Sequence, residues 1–240
     1  MAQAAPSSDR ARDEVARAVA IIMDGNARWA RARGLPVEAG HREGTRAVRR
    51  TVEAAIDLGI RSLAVYAFST ENWSRPPDEV ESLMEIFSET IDRELPDLAR
   101  QGVRTRFIGR RDRAPDELRA KMETLERETE TLDTLDLWIA FDYGGRAEIV
   151  EAVRRLLQSG GAPDELDEAR FAAALYEPDM PDPDIVIRTS GERRISNFLL
   201  WQLAYAELVF VETLWPDFGA DDLRFALGEF AQRRRRYGGR

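Results

Sequence analysis

Short apolar segments alternate with longer amphipathic segments along most of the chain, and this alternation limits the fold more than any other feature of the sequence. The segments that predict strands are Ala18–Met23, Ser62–Phe68, Val103–Ile108, Leu135–Phe141, Asp184–Arg188 and Glu207–Val211. The segments that predict helices are Glu43–Leu58, Pro77–Arg100, Pro115–Thr131, Arg146–Gln158, Glu168–Leu175, Ser196–Tyr205 and Asp221–Arg236. Strand–helix alternation of this kind is typical of a parallel sheet with helices on both faces. We therefore predict an α/β fold with a mostly parallel sheet.

No internal segment of the chain resembles a linker between two domains. The first 14 residues, MAQAAPSSDRARDE, are small, polar or charged, a composition that favours disorder. The alternating segments then follow one another without a long interruption, and 240 residues lie within the range of one domain. We predict a disordered tail over residues 1–14 and a single domain over residues 15–240.

The composition excludes several classes of function. With 35 basic and 44 acidic residues, the net charge of −9 disfavours nonspecific binding of nucleic acid, which requires a basic surface. The absence of cysteine excludes disulfides and thiolate chemistry and fits a reducing compartment. The longest apolar segments have six residues, far fewer than the roughly 20 of a membrane-spanning helix, and no apolar core of a signal peptide lies near the start. We expect a soluble, cytoplasmic protein.

The first predicted strand, Ala18–Met23, stops at Asp24 and is followed at once by a turn. The carboxyl end of a strand is where open α/β sheets bind their ligands. Gly25 and Asn26 tolerate the positive φ of a tight turn, so backbone N–H groups can converge on an anion with Arg28 beside them. A divalent cation commonly bridges such a carboxylate to phosphate oxygens, which points to Mg²⁺ and a phosphorylated substrate. The alternative interpretation is that Asp24 only caps the helix that follows.

Two further polar loops follow predicted strands, and we expect both at the same edge of the sheet as Asp24. The second strand leads into Ser69, Thr70, Glu71, Asn72, Trp73, Ser74 and Arg75. The fifth strand ends at Arg188 and leads into Arg193, Arg194 and Ser196. Arginine side chains match phosphate oxygens in a bidentate way, and a helix beginning near Ser196 would add N–H donors. The alternative is that both are ordinary solvated loops.

His41 is the only histidine of the chain, and it lies at the start of the first predicted helix. A ring N–H there could donate to a phosphate oxygen, although a single histidine is commonly a structural hydrogen-bonding residue. One histidine cannot form a two-histidine metal site, and without cysteine it cannot be the base of a cysteine triad. We expect a role in ligand binding.

Seven segments resemble, in order, those of bacterial cis-prenyltransferases of the undecaprenyl diphosphate synthase type. They are IIMDGNARWA, GLPVEAGHREG, YAFSTENWSRP, FIGRRDR, IAFDYGGRAEI, IRTSGERRISNFLLWQ and the pair YAELVF and TLWPDF. The resemblance covers residues 18–238 and implies a six-stranded parallel sheet flanked by helices, a homodimer and Mg²⁺ dependence. It also implies that isopentenyl diphosphate units are added to an allylic diphosphate such as farnesyl diphosphate, with cis double bonds. The implied product is a long-chain polyprenyl diphosphate such as undecaprenyl diphosphate, the lipid carrier precursor for cell-wall synthesis.

The resemblance also implies roles for individual residues. Asp24 would handle Mg²⁺ and the allylic diphosphate, Asn72 would help to remove the proton after carbon–carbon bond formation, and Glu207 would be an additional metal ligand. The implied allylic site comprises Gly25, Asn26, Arg28, His41 and, as a wall, Trp29. The implied isopentenyl diphosphate site comprises Arg188, Arg194 and Ser196, with Arg75 nearby. The further implied substrate contacts are Ala27, Ser69, Thr70, Glu71, Trp73 and Ile195. Because neutral Asn72 is a poor base, a diphosphate oxygen is the alternative proton acceptor.

The sequence departs from the family pattern at two positions. Ala27 follows Asn26 where glycine or arginine is expected. This substitution has little effect on the backbone if the φ of residue 27 is negative. Val37 stands where many members carry an arginine, so one contact with the allylic diphosphate is in question. The run Arg233–Arg236 is open to three interpretations: a solvated helix end, an approach to the partner subunit's site, or contact with anionic lipid headgroups.

Other interpretations are a shorter-chain cis-prenyl diphosphate synthase, a non-catalytic partner subunit and a phosphohydrolase with an aspartyl nucleophile. The partner subunit would lack Asp24 or the arginines, which this chain keeps. The phosphohydrolase needs a second aspartate as general acid, and Asn26 stands at that position. For the synthase, an apolar product requires a tunnel, and we expect the second strand, with Ala67, and the helix Pro77–Arg100 to form its wall.

Overall fold

A computed structural model describes residues 16–160 and 163–232 of the chain. Its six strands are β1 Ala18–Ile22, β2 Ser62–Ser69, β3 Val103–Ile108, β4 Leu135–Tyr143, β5 Ile185–Arg188 and β6 Glu207–Phe210. They form one sheet in the order β3-β4-β2-β1-β5-β6, and every neighbouring pair is parallel. The predicted α/β fold with a six-stranded parallel sheet is confirmed.

Helices connect the strands on both faces of the sheet. They are α1 Asn26–Ala32, α2 Val37–Asp57, α3 Pro77–Arg100, α4 Asp116–Thr129, α5 Gly145–Gln158, α6 Glu168–Ala172 and α7 Ala220–Gln232. Short 3₁₀ turns lie at Thr70–Ser74, Pro163–Glu165 and Trp215–Asp217. Among the described residues, no helix has the length and apolar character needed to cross a membrane. The predicted tail over residues 1–14 and the run Arg233–Arg236 lie outside the described residues.

The first helical region differs from the prediction. The helix expected at Glu43–Leu58 begins six residues earlier, at Val37, directly after Pro36 in an extended conformation. A separate helix, α1, precedes it and begins at Asn26. Gly25 has the expected positive φ, 115°, but Asn26 has not, because it already belongs to the helix. Ala27 also lies within α1, so its side chain causes no strain there.

The predicted helix Ser196–Tyr205 is wrong. This segment forms a series of turns, and three of its residues have positive φ: Ser196 (48°), Asn197 (64°) and Leu199 (42°). Left-handed residues interrupt the hydrogen-bond pattern of a right-handed helix, so the apolar spacing of this segment does not produce one. No helix N-terminus is therefore present at Ser196 to bind phosphate.

In the four inner strands β4, β2, β1 and β5, alternate residues point into two apolar layers. In β1, Val19 and Ile21 face a layer covered by α2, α3, α4 and α7, whereas Ala20 and Ile22 face the opposite side. The second layer is covered by α5 and by the turns after β5, where Phe198 is fully buried. Strands buried on both faces explain the nearly continuous apolar segments of the sequence.

The chain connections run toward opposite edges of the sheet on the two sides of β1. The connection after β1 leads to β2, whereas β5 lies on the other side of β1 and leads outward to β6. Open α/β sheets bind ligands at the carboxyl ends of two strands related in this way. The register pairs Ile22 with Arg188, so the loops after β1 and β5 begin side by side at this crevice.

Candidate active site

A polar cleft of about 550 Å³ opens at the carboxyl ends of β1, β2 and β5. It brings together side chains from all three loops that the sequence identifies. The predicted site residues that line it are Asp24, Asn26, His41, Ser69, Glu71, Asn72, Arg75, Arg188, Arg194 and Ser196. The expectation that the three loops meet at one edge of the sheet is confirmed.

Asp24 lies between two guanidinium groups at the base of the cleft. Its Oδ2 accepts a hydrogen bond from Arg188 Nη2 at 2.9 Å, and its Oδ1 is 3.4 Å from Arg28 Nη2. Burial alone would raise the pKa of Asp24, but hydrogen bonds from Arg188 and Ser190 and the charges of Arg188 and Arg28 outweigh it and lower the pKa. Asp24 is therefore ionised at neutral pH, with 28% of its side chain exposed.

Asp24 does not cap the helix that follows it. The N-cap residue of α1 is Gly25, and no side chain caps this helix. Instead, Thr189 fixes the Asp24 backbone: its Oγ1 accepts from Asp24 N–H at 2.8 Å and donates to the Asp24 carbonyl at 2.6 Å. The capping interpretation is wrong, and the carboxylate is available to the cleft.

Arg188 is the buried cation of the site, with 4% of its side chain exposed. Besides Asp24, it donates to Ser196 Oγ at 2.7 Å and to the Arg194 carbonyl oxygen, so it joins β1 to the loop after β5. A buried charge must be paired, and these contacts supply the pairing. Its Nε is buried and has no hydrogen-bond partner in the structure, which leaves one donor for a ligand.

Two more buried polar atoms of the cleft have no hydrogen-bond partner in the structure: Asn26 Oδ1 and His41 Nε2. The latter lies 3.6 Å from Glu79 Oε1. Burial and the charge of Arg75 lower the pKa of His41, although Glu79 acts in the opposite direction. Asn26 Oδ1 lies against Gly44 of α2, whereas His41 belongs to the lining of the cleft. Because an unsatisfied buried polar group costs about 1–3 kcal/mol, the unpartnered His41 Nε2 favours a polar ligand there.

The loop after β2 holds Asn72 in a fixed orientation. Asn72 Oδ1 accepts the Ser69 N–H at 2.9 Å, while the Ser69 side chain accepts the Asn72 N–H, a reciprocal capping box. The side-chain oxygen of Asn72 therefore already accepts one hydrogen bond, and its side-chain NH₂ group can donate to a ligand. The implied role of Asn72 in helping to remove the proton stays a prediction.

The other charged groups of the cleft form ion pairs or hydrogen bonds with neighbouring side chains. Arg75 is 3.0 Å from Glu79, and Arg194, on an exposed loop, pairs with Glu192. Burial would raise the pKa of Glu71, but a 2.9 Å hydrogen bond from Asn197 and other bonds lower it. The cleft itself is lined by three arginines, Arg75, Arg188 and Arg194, and by two carboxylates, a balance that suits an anionic ligand.

Several residues implied as substrate contacts lie outside the cleft. Trp29 donates its indole N–H to Asp217 at 2.7 Å and is covered by the Arg33 guanidinium, so it is not a wall of this cavity. Ile195 packs on the second apolar layer. Gly25, Ala27 and Thr70 do not line the cleft either, whereas Arg28 contacts it through Asp24 and Ser190.

Trp73 lies beneath the loop rather than in the cleft. Its indole N–H donates to Asp142 Oδ1 at 2.8 Å, and Asp142 also forms an ion pair with Arg113, whose guanidinium lies 4.9 Å from the Trp73 ring centre. Asp142 is fully buried and has a positive φ of 45°. Trp73 therefore anchors the loop that carries Asn72 and helps to position this residue in the cleft.

Glu207 lies away from Asp24 within one chain. It is the first residue of β6 and pairs in register with Ile185, whereas Arg188, which binds Asp24, pairs with Phe210 at the other end of the strand. One metal ion bound by Asp24 and Glu207 of the same chain is therefore incompatible with the fold. Over residues 16–160 and 163–232, no cluster of three histidine or acidic residues could hold a metal alone.

Sequence reasoning missed four residues that shape the site. Thr189 and Ser190 follow a predicted strand end, a signal that was available, and they fix Asp24 and Arg28. Arg113 and Asp142 support the loop after β2 from distant parts of the chain, and no local pattern connects them to it. Their role follows only from the folded structure.

An apolar cavity of about 130 Å³ adjoins the polar cleft between the sheet and the helices α2 and α3. The two cavities share Met23, Asn26, His41, Ala67 and Leu83. The predicted apolar wall of β2 and the helix Pro77–Arg100 is confirmed, with Ala67 at the junction. The site therefore fits a ligand with an anionic head and an apolar tail.

Comparison with known proteins agrees with this geometry. Residues 22–238 match the family model of the prenyltransferases described as undecaprenyl diphosphate synthase. The isoprenyl transferase of Thermotoga maritima is 50% identical over 223 residues, which is 92% of this chain and 96% of that protein. The ditrans,polycis-undecaprenyl-diphosphate synthase ((2E,6E)-farnesyl-diphosphate specific) of Xanthomonas axonopodis pv. citri is 50% identical over 228 residues, 93% of this chain and 89% of that one.

A solved structure supports the same assignment. The crystal structure of lavandulyl diphosphate synthase from Lavandula x intermedia, in complex with dimethylallyl diphosphate, matches with a TM-score of 0.91 and 35% sequence identity. The match covers 94% of this chain and 99% of that chain. Together with the family model and the sequence relatives, this shows that the chain belongs to the undecaprenyl diphosphate synthase family of prenyltransferases.

Proposed function

We propose that this chain joins isopentenyl diphosphate units to an allylic diphosphate, with farnesyl diphosphate as the starter, and makes a long-chain cis-polyprenyl diphosphate such as undecaprenyl diphosphate. The observation that carries the proposal is the polar, arginine-lined cleft at Asp24 that continues into an apolar cavity. The name of the Xanthomonas relative specifies farnesyl diphosphate, and the Lavandula structure holds an allylic diphosphate. Both support an allylic diphosphate as one substrate.

The two diphosphates would occupy neighbouring parts of the cleft. Asn26 and His41, which line both cavities, hold the allylic diphosphate so that its tail enters the apolar cavity. Arg188, Arg194 and Ser196 hold isopentenyl diphosphate, with Arg75 nearby. Fixing both reactants in one cleft replaces a bimolecular encounter, and arginines stabilise the charge of the departing diphosphate.

Mg²⁺ fits the donors at Asp24. It prefers one or two carboxylate oxygens together with substrate phosphate oxygens. Asp24 is ionised, and part of its side chain, 28%, is exposed in the cleft. When bound, the ion would neutralise the allylic diphosphate and assist its departure. Asp24 would hold it, and Glu207 of the same chain would not.

The chemistry ends with loss of a proton from the newly joined unit. The carbon–carbon bond forms as the allylic carbon loses its diphosphate, and the proton then leaves to form the new double bond. Because Asn72 is a neutral amide and therefore a poor base, a diphosphate oxygen is the proton acceptor in this proposal. The Asn72 amide group orients that diphosphate by donation.

A homodimer and transient contact with a membrane surface belong to the same proposal. Helix α5 exposes Val150 (49%), Val153 (42%) and Leu157 (76%), whose spacing places them on one face of the helix. An apolar stripe of this kind supports an interface with a second copy. A lipid product made by a cytoplasmic enzyme must reach a membrane, which supports peripheral contact during release.

A shorter-chain cis-prenyl diphosphate synthase is the second candidate. The modest volume of the apolar cavity, about 130 Å³, favours it. A non-catalytic subunit is disfavoured, because Asp24, Arg188 and Arg194 are all present and Asp24 is ionised.

The test is incubation of the purified chain with farnesyl diphosphate, radiolabelled isopentenyl diphosphate and Mg²⁺, followed by chromatography of the dephosphorylated products. We expect a long polyprenol as the main product and no product after chelation of the metal. A product that stops after a few additions would favour the second candidate. A folded protein that forms no product at all would contradict both.

A further inference from the structure

Three charged side chains contribute to the lining of the apolar cavity away from the polar cleft. From the junction at Ala67, the cavity runs beneath α2 and α3, and most of its lining is apolar. At the far part of both helices, however, Arg49, Glu94 and Asp97 contribute to the lining. Charged groups are costly in an apolar cavity unless they are paired, so their arrangement there requires an explanation.

Arg49 pairs with both acidic residues across the seam between α2 and α3. Its Nη2 is 2.7 Å from Asp97 Oδ2, and its Nη1 is 3.8 Å from Glu94 Oε2. The two carboxylates are sheltered, with 12% of the Glu94 side chain and 18% of the Asp97 side chain exposed. Arg49 itself is half-exposed, with 45% of its side chain accessible, and its Nε also contacts Glu53 Oε1 at 3.1 Å, so it is the sheltering of the two carboxylates that makes these pairs stronger than pairs between fully exposed groups.

The two carboxylates lie on either side of a proline inside α3. Pro96 has no N–H to donate to the carbonyl of Asp92, and its ring crowds that carbonyl, so the helix is weakened at this turn. Glu94 precedes the weak point and Asp97 follows it. Arg49 therefore fastens the last turn of α3 to α2 from both sides of the proline.

We infer that Arg49, Glu94 and Asp97 form an ionic latch that closes the cavity and sets the length at which chain growth stops. This inference rests on the proposed prenyl-transfer function. A growing apolar chain that reaches the latch must either place its end against three charged groups or separate them, and neither is compensated by new contacts. With the latch open, the last turn of α3 can move away from α2 and admit further units.

The test compares product lengths at matched substrate ratios. Asp97→Asn keeps the volume of the side chain but removes its charge, and Arg49→Met keeps a long stem but removes the guanidinium. We expect both variants to extend the main product by at least one isoprene unit, while the first condensation keeps a rate within a few-fold of the wild type. If Asp97→Asn does not fold, Glu94→Gln replaces it.

Arg42→Met is the matched control. Arg42 forms an ion pair with Glu89 across the same two helices, but neither residue lines the cavity. This control should give wild-type products. Unchanged products from the latch variants, or an equal shift in the control, would overturn the inference. A wild-type chain that makes no prenyl product would instead contradict the proposed function, so the two failures are distinguishable.

Discussion

At the residue scale, the charge of Asp24 is decided by its two arginine neighbours rather than by its burial. Arg188 is nearly inaccessible and contacts Asp24 directly, whereas Arg28 approaches from the helix that follows. The result is an ionised carboxylate beside a cation, Arg188, whose Nε has no hydrogen-bond partner in the structure. The charges of such a site suit a metal ion and a diphosphate.

The ion pair at Asp24 makes stability dependent on pH. Because the pKa of Asp24 in the folded chain is below the ordinary 3.8, the pair stabilises the fold above that pH and loses this effect as the pH falls through the lowered pKa. At neutral pH, Asp24→Asn should reduce the free energy of unfolding by about 1–3 kcal/mol. Denaturant titrations at several pH values measure this difference, which should shrink under acid conditions. A difference that stays constant down to about pH 2 would show that the charge of Asp24 is not responsible.

Substitution of Arg194 should affect the binding of the two substrates to different extents. Because it lines the cleft beside Arg188 on the loop after β5, Arg194→Ala should raise KM for isopentenyl diphosphate about 10- to 100-fold, with a much smaller effect for farnesyl diphosphate. Steady-state kinetics with each substrate varied in turn measures both values. Arg193→Ala is the control, since Arg193 does not line the cleft. Equal increases for the two substrates would remove the basis for two distinct sites.

At the element scale, strand ends could be predicted from the sequence more reliably than the segments that follow them. The change from apolar to polar residues at Asp24, Ser69 and Arg188 correctly located one edge of the sheet. The segment Ser196–Tyr205 has apolar spacing that resembles a helix, but tertiary contacts hold Ser196 in a left-handed conformation. There, Arg188 binds the Ser196 hydroxyl, a contact that local sequence patterns cannot contain.

The residues that hold the site's side chains in place could not be predicted from local sequence patterns either. Trp73 is an aromatic residue in a polar loop, which predicts a substrate contact. Its indole N–H instead donates beneath the loop to Asp142, which lies 69 residues away in sequence. Likewise, Trp29 is held by Asp217. Long-range hydrogen-bond partners determine how such a tryptophan side chain is oriented. The residue types therefore predicted which loops form the site, but not the orientation of these two side chains.

The small side chain of Ala67 should control entry into the apolar cavity. Ala67 lies where the polar cleft meets the cavity, so Ala67→Leu should narrow the passage and shift products toward shorter chains while the first condensation continues. Each further unit buries about four to five carbons at roughly 0.8 kcal/mol each, so the loss of space directly limits growth. Chromatography of products at matched substrate ratios is the measurement. An unchanged distribution would place the growing chain along a different path.

At the scale of the whole molecule, the sheet places the apolar cavity and the polar cleft in two different positions. The face covered by α2 and α3 holds the apolar cavity, while the carboxyl edge gathers the charged groups. The reversal of connectivity beside β1 brings the loops after β1 and β5 together at this edge. An amphiphilic substrate can therefore lie with its diphosphate at the edge and its chain beneath the helices.

The central claim is that Asp24 drives prenyl transfer at this edge, and Asp24→Ala tests it most directly. Single-turnover condensation of farnesyl diphosphate with radiolabelled isopentenyl diphosphate should slow by about a thousandfold or more, since the variant would lose the proposed contact with Mg²⁺ and the departing diphosphate. Circular dichroism should match the wild type, which shows that the fold is kept. A folded variant that retains a tenth of the wild-type rate would contradict the account.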